Sequence, residues 1–451
     1  MEERVWHKAY APGVPPGIEY EKLPLPRALI RTAQKYPDVT ALILMGGKTN
    51  YRELNQLVDR FAASLKRLGI KKGDKVALVL PNIPQIVIGV YAAWKIGAVV
   101  VMNNPLYTER ELAHQLNDSE STAVLCLDLL VPRMLSLKEK TGLKTVISCH
   151  IRDFLPFPLK QLFPYVKKQL HRKPQPGDKG VLEFMDLIKA PAPSLEADVD
   201  FEDLAALLYT GGTTGVSKGV MLTHANLSVN VQQFKGLLRD MKDGAENVIG
   251  SLPFFHSAGF TAAMNTCIYR GFTDILLPKP DVDVLLDVLK KYKPAIFGGV
   301  PTMYVGLLNS PKLPPKEQLS FIKGSVSGAA PLAVETLKAW EERIGAQIIE
   351  VFGMTEMSPI SHANPWGGVC KAGSVGIPFP DTDCRIVDLE TGELDLPQGE
   401  AGEILVTGPQ MMKGYYKKPE ENVSALKGGW FHTGDIGYMD EEGYLYIVDR
   451  K

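Results

Sequence analysis

The sequence has 451 residues but only five cysteines, and no two of them form a C-x-x-C pair. Their number is odd and their spacings are long, which disfavours both a disulfide framework and a zinc cluster built from thiolates. We therefore expect reduced thiols in a cytoplasmic protein. The cysteines are Cys126, Cys149, Cys267, Cys370 and Cys384.

Long apolar runs and an excess of charge of one sign are also missing. Lys95 separates the apolar segments 86–94 and 96–102, and neither reaches the roughly 18 residues that a membrane-spanning helix needs. The N-terminal residues contain no apolar core of the length found in signal peptides. Because 50 basic residues face 51 acidic ones, for a net charge of −1, we expect no nucleic-acid partner.

The composition is that of a globular protein, with 45% hydrophobic and 22% charged residues. The length predicts roughly three folding units. Solid apolar strands separated by single helices predict parallel β-α-β units covered on both faces, an α/β fold. Asn50 with Glu53, and Thr108 with Glu111, predict two helix caps. The segments predicted as strands are 76–81, 98–103, 122–128, 203–210, 247–253, 273–278, 295–300, 322–328 and 346–352.

The texture changes beyond about residue 365, where short β-prone segments alternate with Gly, Pro and Asp turns. This pattern predicts a small antiparallel sheet or β-barrel appended to two α/β layers. We therefore divide the chain into an α/β subdomain (1–195), a second α/β subdomain (196–352) and a mainly β subdomain (353–451).

One segment, 152–173, interrupts the alternation with apolar residues interleaved among basic ones. Residues 150–173 contain six Lys or Arg and one Asp, for a net charge of +5. A basic amphipathic helix can lie on an anionic bilayer, so a peripheral membrane contact is one interpretation. A surface helix with solvated lysines is the other, and both stay open.

Residues 209–220 read YTGGTTGVSKGV, a predicted strand followed by a glycine-rich loop. Glycines let successive backbone N–H groups turn toward an anion, the Thr hydroxyls add donors, and Lys218 adds a positive charge. The loop therefore predicts a triphosphate site. The Walker pattern fails, because Ser217 stands where it needs glycine and Gly219 where it needs Ser or Thr. A P-loop kinase or NTPase is accordingly disfavoured.

The loop resembles T-S-G-T-T-G-x-P-K-G, the signature of the acyl-adenylating superfamily, with departures at Gly211 and Ser217. Four further motifs follow in the family's order: PFFH (253–256), GAAP (328–331) with FGMTE (352–356), WFHTGD (430–435) and DR (449–450). The chain is similar above all to long- and medium-chain fatty acid–CoA ligases, and next to aryl-acid–CoA ligases. The resemblance implies the N-terminal domain of the acyl-adenylating fold.

The resemblance also implies roles for residues at the matching positions. Lys218, His256 and Glu356 would be catalytic, with Thr210 and Glu356 holding Mg²⁺. Phe352 and Val351 depart from the Tyr and Gly common at these positions. The residues assigned to nucleotide binding are Thr210, Gly211, Gly212, Thr213, Thr214, Gly215, Lys218, Gly328, Ala329, Ala330, Glu350, Val351, Phe352, Gly353, Met354, Thr355, Asp435 and Arg450.

A pocket for the organic acid is predicted from small residues after a strand and from nearby apolar side chains. Small residues leave room for an acyl chain, although glycine beside a sheet end also serves tight packing. The remaining histidines carry no comparable argument. The predicted substrate-site residues are Phe255, His256, Phe260, Gly298, Gly299, Val300 and Met303.

The function that the resemblance implies is an ATP-dependent fatty acid–CoA ligase, with ATP, Mg²⁺ and coenzyme A, that forms an acyl adenylate and releases AMP and pyrophosphate. The alternatives are an aryl-acid–CoA ligase, a luciferase-like oxygenase, and a non-catalytic nucleotide- or acyl-binding module. A homodimer is left open. Because the family's D-R-x-K hinge would fall at the end of this chain, we expect a chain cut before a C-terminal domain and weakly active.

Overall fold

The structure is a computed structural model that describes residues 4–211 and 216–450. Within them a π-helical segment, Ala258–Asn265, precedes one of the α-helices. The α-helices are α1 (Leu25–Lys35), α2 (Tyr51–Arg67), α3 (Pro84–Lys95), α4 (Glu109–Asp118), α5 (Val131–Lys138), α6 (Leu159–Val166), α7 (Phe184–Leu187), α8 (His224–Leu237), α9 (Thr266–Arg270), α10 (Val282–Tyr292), α11 (Pro301–Leu308), α12 (Val334–Ile344) and α13 (Pro419–Ala425).

The strands of the described residues form three sheets. They are β1 (Thr40–Leu44), β2 (Gly47–Asn50), β3 (Lys75–Val79), β4 (Val99–Asn103), β5 (Ala123–Leu127), β6 (Thr145–Cys149), β7 (Val181–Glu183), β8 (Leu204–Thr210), β9 (Lys218–Thr223), β10 (Asn247–Gly250), β11 (Thr273–Leu276), β12 (Ile296–Gly299), β13 (Gly324–Ser327), β14 (Ile348–Gly353), β15 (Ile360–Ala363), β16 (Ile377–Pro378), β17 (Asp383–Val387), β18 (Gly402–Thr407), β19 (Gly414–Tyr415), β20 (Phe431–Met439) and β21 (Leu445–Arg450).

The first sheet has eight strands in the order β19-β9-β8-β4-β3-β5-β6-β7. Strands β8 through β7 in this order run parallel, and β9 and β19 close one edge antiparallel. The central strands β4 and β5 are buried along their whole length. Solid burial on both faces is the reason that these strands are continuous apolar runs, as the sequence predicts.

The second sheet has nine strands in the order β16-β15-β14-β13-β12-β10-β11-β1-β2. Its six central strands, β14 to β1, are parallel, and antiparallel strands flank them on both sides. The third sheet, β17-β18-β20-β21, is antiparallel. The predicted α/β class is therefore confirmed, and the appended β region is a four-stranded sheet.

The sheets do not follow the predicted division at 195 and 352. Strands β1 and β2 lie in the first predicted subdomain, but β1 pairs with β11 and both strands belong to the nine-stranded sheet. Strands β8 and β9 lie in the second predicted subdomain but join β4 in the eight-stranded sheet. Sequence texture reports local structure, whereas strand pairing between distant segments is decided by packing, so strands from each predicted α/β subdomain join the sheet of the other.

Local signals in the sequence are well matched by the helices. Asn50 caps α2, with its side chain accepting from the Glu53 N–H at 2.8 Å. Thr108 caps α4 in the same way. Lys95, which divides the apolar run, is fully buried at the end of α3 and pairs with Asp59 at 2.5 Å. One buried cluster contains side chains of both large sheets, such as Leu78 and Leu276, so the two sheets share a core.

In the part of the chain that the structure describes, no helix combines the length and apolarity needed to cross a bilayer.

Candidate functional site

The glycine-rich loop joins two antiparallel strands, β8 and β9. Thr210 and Lys218 are register partners across this hairpin, so the loop begins and ends at adjacent positions. Gly211 is exposed at its start. The predicted phosphate contacts Gly212, Thr213, Thr214 and Gly215 lie outside the described residues. Within the described residues, the structure therefore supplies the base of the predicted phosphate site.

A line of contacts connects Lys218 to Glu356. The Lys218 ammonium lies 4.9 Å from the centre of the Tyr415 ring, and the Tyr415 hydroxyl donates to Glu356 Oε1 at 2.7 Å. Lys218 also pairs with Glu421 of α13. Strand β19, which contains Tyr415, pairs with β9 beside Val220. Two residues that the sequence places far apart are thus joined by a tyrosine that no motif singled out.

Glu356 is buried, in a short 3₁₀ turn that follows β14. Burial raises the pKa of Glu356 above its ordinary value, and the Tyr415 hydroxyl and the charges of Lys218 and Arg450 oppose that shift. A carboxylate in this setting gains from a nearby cation, because the cation offsets the loss of hydration. The site therefore has a buried anionic group with cationic side chains close enough to act on it.

Two neighbouring strand ends form a crevice beside Glu356. Ser327, the last residue of β13, is the register partner of Glu350 in β14, so GAAP (328–331) and FGMTE (352–356) leave the sheet side by side. Ala329 and Gly353 are exposed there, and Phe352 is half-buried with its ring centre 5.8 Å from that of His362. A side chain on Gly328 would meet Val351 at 2.9 Å. The carboxyl edge of parallel strands is where open α/β sheets bind ligands.

Glu350 lies in β14, two residues before Phe352. It is buried, burial raises its pKa, and among the described residues its Oε2 has no hydrogen-bond partner. A buried polar atom without a partner needs an explanation, and the polar edge of a bound ligand would supply one. Met354 and Thr355 continue the chain from the crevice to Glu356.

Asp435 and Arg450 are register partners on β20 and β21, and Arg450 Nε lies 3.6 Å from Asp435 Oδ1. Burial raises the pKa of Asp435, and the Arg450 charge opposes it. Because Arg450 also acts on Glu356, the third sheet brings this pair to the same region. The two predicted ribose contacts are thus adjacent to each other, and one acts on the predicted metal ligand.

His256 approaches the same region from the PFFH segment. The next residue, Ser257, has its hydroxyl 3.2 Å from that of Thr355, so this segment meets the turn that holds Glu356. The His256 side chain has an exposed edge, yet the surrounding protein lowers its pKa below 6.5. The imidazole is therefore neutral near pH 7 and can donate a single N–H.

Asn82, which follows β3, holds the PFFH segment in place. Its side-chain amide donates to the Gly250 and Leu252 carbonyls at 2.9 and 2.8 Å, and its oxygen accepts from the Phe254 N–H at 2.8 Å. This buried bridge between the two large sheets had no signal in the sequence, because its partners are about 170 residues away.

The predicted acid pocket is only partly assembled. An apolar cavity of about 50 Å³ is lined by Gly298 together with Leu252, Ala262 and Val326. Phe260 is fully buried with its ring 5.6 Å from Trp94. The other predicted pocket residues lie as follows: Phe255 is half-buried near Phe260's cluster, Gly299 is buried, Val300 is half-buried, and Met303 packs in the separate cluster under α10 and α11.

Comparisons with known proteins match almost the whole chain. The profile of the AMP-binding enzyme family matches residues 29–416. A long-chain-fatty-acid–CoA ligase of Bacillus subtilis is 42% identical over 454 residues, covering 100% of this chain and 81% of the relative. One of Salmonella typhimurium is 35% identical with the same coverage. The solved long-chain-fatty-acid–CoA ligase of Archaeoglobus fulgidus is 28% identical, with a TM-score of 0.82 over 98% of this chain and 86% of that one.

These matches do not support the expectation that the chain is cut at the hinge and weakly active, because they run over its full length.

Proposed function

Since the chain belongs to the AMP-binding enzyme family, we propose that it is an ATP-dependent long-chain fatty acid–CoA ligase, which joins the acid to AMP and then transfers the acyl group to coenzyme A. The single observation that carries the proposal is the line Lys218–Tyr415–Glu356, which lies between the phosphate loop and the crevice. The names of the relatives support the substrate class.

In the first step a carboxylate oxygen would attack the α-phosphorus of ATP while pyrophosphate leaves. Two anions must approach each other, so the site has to supply positive charge and neutral donors. Lys218 and the loop would hold the phosphates, and the neutral His256 would orient the carboxylate. The adenine would enter the crevice between residues 328–331 and 351–354, and Asp435 with Arg450 would hold the ribose.

The residues present fit a magnesium ion. Glu356 is a buried carboxylate with a raised pKa, and Thr210 at the end of β8 adds a hydroxyl, the hard oxygen donors that Mg²⁺ prefers. When bound, the ion supplies charge neutralisation at the nucleotide phosphates.

In the second step the thiol of coenzyme A would attack the acyl–AMP carbonyl and displace AMP. Until then the mixed anhydride must be kept from water, because it hydrolyses. The burial of Glu356, Phe260 and Gly299 is consistent with a site that admits little water.

The test is acid-dependent pyrophosphate exchange and AMP release over a panel from acetate to stearate plus aryl acids, followed by acyl-CoA formation. We expect AMP and pyrophosphate with the longer fatty acids. A preference for aryl acids would change the proposed substrate class to aryl acids and leave the proposed reaction unchanged. ADP or phosphate as product, or nucleotide binding without exchange, would refute the ligase.

We also propose that the segment 152–173 contacts an anionic membrane surface, the source of long-chain acids. It carries a net positive charge, and Phe157, Tyr165 and Val166 are 83%, 73% and 69% exposed. Exposed apolar side chains beside basic ones suit an interface of this kind. The chain should sediment together with vesicles of phosphatidylglycerol. The double variant Phe157→Ser with Tyr165→Ser should stay in the supernatant. Equal sedimentation of both proteins would contradict the contact.

That the protein forms a homodimer stays a prediction.

A further inference from the structure

Three polar side chains far from the nucleotide motifs in sequence meet at the other sheet. Asp128 directly follows β5, and His150 directly follows β6, the parallel neighbour of β5. The third, His171, comes from the extended chain after the 3₁₀ turn Lys168–Leu170. Asp128 and His150 thus lie together at the carboxyl ends of two parallel strands, and a later segment of the chain places His171 beside them.

The spacing of their ligand atoms is close to that of a coordination shell. Asp128 Oδ2 lies 2.9 Å from His150 Nδ1 and 3.2 Å from His171 Nδ1, and one ligand atom from each residue lies within 4.8 Å of the others. Zinc bonds of about 2.0–2.2 Å in a tetrahedron place neighbouring ligand atoms roughly 3.3–3.5 Å apart. A small inward or outward adjustment would therefore admit a metal ion.

Hydrogen bonding leaves this cluster incomplete. The Asp128 side chain is 3% exposed and that of His171 is 7% exposed. Among the described residues, Asp128 Oδ1 has no hydrogen-bond partner, while Asp128 Oδ2 accepts from the Arg172 N–H at 2.6 Å. His171 Nδ1 lies 3.2 Å from Asp128 Oδ2 but makes no well-aligned hydrogen bond. Buried polar atoms are rarely left unpaired, and a bound cation would satisfy both atoms at once.

A histidine that binds a metal usually donates its other ring N–H to a carboxylate, a carbonyl or water, and Glu183 can accept it from His150. It ends β7, the next strand of the sheet, and its Oε2 lies 3.3 Å from His150 Nε2. Donation of the Nε2–H to this carboxylate leaves Nδ1 as the lone-pair nitrogen facing Asp128. The ends of β5, β6 and β7 therefore supply, in turn, the ligand Asp128, the ligand His150 and the carboxylate of Glu183 that orients His150.

Space for a further ligand lies beside the cluster. A cavity of about 300 Å³ is lined by Asp128, Ser148, His150, Arg172 and Glu183, among others. Zinc sites with three protein ligands keep such an open position for water or another small ligand.

We propose that Asp128, His150 and His171 form a binding site for a divalent late-transition-metal cation of the zinc type, with Glu183 as its supporting carboxylate. Two imidazole nitrogens with one carboxylate select such ions over Mg²⁺ and Ca²⁺, which prefer all-oxygen sites. The two histidines bracket residues 151–170, so the bound ion would fasten both ends of that segment to the sheet. The site shares no residue with the nucleotide site and does not depend on the proposed function.

The experiment is calorimetric titration of the chelator-treated full chain with Zn²⁺, beside thermal unfolding with and without the metal. We expect one Zn²⁺ per chain, a higher unfolding temperature with Zn²⁺ but not with Mg²⁺ or Ca²⁺, and four-coordinate visible absorption with Co²⁺. His171→Ala and the isosteric Asp128→Asn should each weaken Zn²⁺ binding by more than about 100-fold, and Glu183→Gln by about 10–100-fold.

His7→Gln, in the 3₁₀ turn Val5–Ala9, is the matched control and should bind Zn²⁺ as the parent does. If a ligand variant fails to fold, His171→Gln, which lies outside the strands, replaces it. The proposal is overturned if the parent does not take up Zn²⁺ in a 1:1 ratio. It is equally overturned if His171→Ala and Asp128→Asn bind as tightly as His7→Gln, since the ion then sits elsewhere.

Discussion

The two large sheets place polar side chains at the same structural position, beyond the carboxyl ends of their parallel strands, but from different kinds of sequence. In the nine-stranded sheet, residues 350–356 form one continuous stretch that includes the end of β14 and the turn after it. In the eight-stranded sheet, Asp128, His150 and Glu183 come from three separate strand ends. A continuous stretch can be read from the chain, whereas a set dispersed over three strands exists only after the strands are ordered.

The sheets also differ in how they bury ionisable groups. Lys95 beside the eight-stranded sheet is paired with Asp59. Asp274, in β11 of the nine-stranded sheet, is 1% exposed, and among the described residues neither of its oxygens has a hydrogen-bond partner. One sheet thus keeps a buried charge pair, and the other keeps a buried acid that gains from being protonated.

The largest effect is expected from breaking the buried pair. Lys95→Met leaves the Asp59 carboxylate buried without its cation, which should lower the free energy of unfolding by about 3–5 kcal/mol. Urea unfolding measures this. Lys95→Met combined with Asp59→Leu should recover most of the loss, and Lys290→Met, at an exposed position of α10, should change little. A loss no larger than that of Lys290→Met would show that the pair does not matter.

At the nucleotide site, Glu356→Gln should lower acid-dependent AMP formation by about 10²–10³-fold, because it removes the predicted metal-binding carboxylate without changing its shape. Steady-state AMP release with a long-chain acid measures it. The matched control Glu342→Gln, exposed on α12, should retain the parent rate. Equal rates for the two variants would remove Glu356 from the reaction.

Asp274 should make the free energy of unfolding depend on pH, and the variant Asp274→Asn should lack this dependence. Burial raises the pKa of Asp274 to about 8, so between about pH 4 and pH 8 the folded state holds a proton that the unfolded state has released. The free energy of unfolding should then fall as pH rises, by up to about 1.4 kcal/mol per pH unit. The titratable neighbours Tyr51 and Cys267 have raised pKa values and stay neutral in this window.

Asp274→Asn should remove this contribution. The free energy of unfolding of the variant minus that of the parent should therefore increase from pH 5 to pH 8. Urea unfolding at several pH values measures the difference. A difference that is constant over this range would show that Asp274 does not titrate there.

The smallest effect should come from Tyr415→Phe, which removes the hydroxyl that donates a hydrogen bond to Glu356 but keeps the ring beside Lys218. We expect about a tenfold fall in AMP formation, the cost of one hydrogen bond to a charged group. Tyr446→Phe, whose ring stacks on Tyr438 in the third sheet, serves as the control. A fall as large as that of Glu356→Gln would mean that Tyr415 contributes more than this hydrogen bond.

Much of the fold was predictable because its signals are local. The caps at Asn50 and Thr108 and the apolar strands depend on residues that are near each other in the chain. The crossing of β1 and β8 into the opposite sheet was not predictable, because pairing between distant strands depends on packing. Among the site residues, the same limit hid Tyr415 and Asn82, because the partners of their side chains lie at least 59 residues away.

By itself the sequence determined the α/β class, the glycine-rich loop and the family to which the chain belongs, since these follow from short-range patterns of apolar residues, glycine and a few side chains in fixed order. Only the tertiary structure decided which strands are neighbours. That decision joins Lys218 to Glu356 through Tyr415 and sets Asp128 between His150 and His171, because hydrogen bonds and coordination act over a few ångströms in space regardless of distance along the chain.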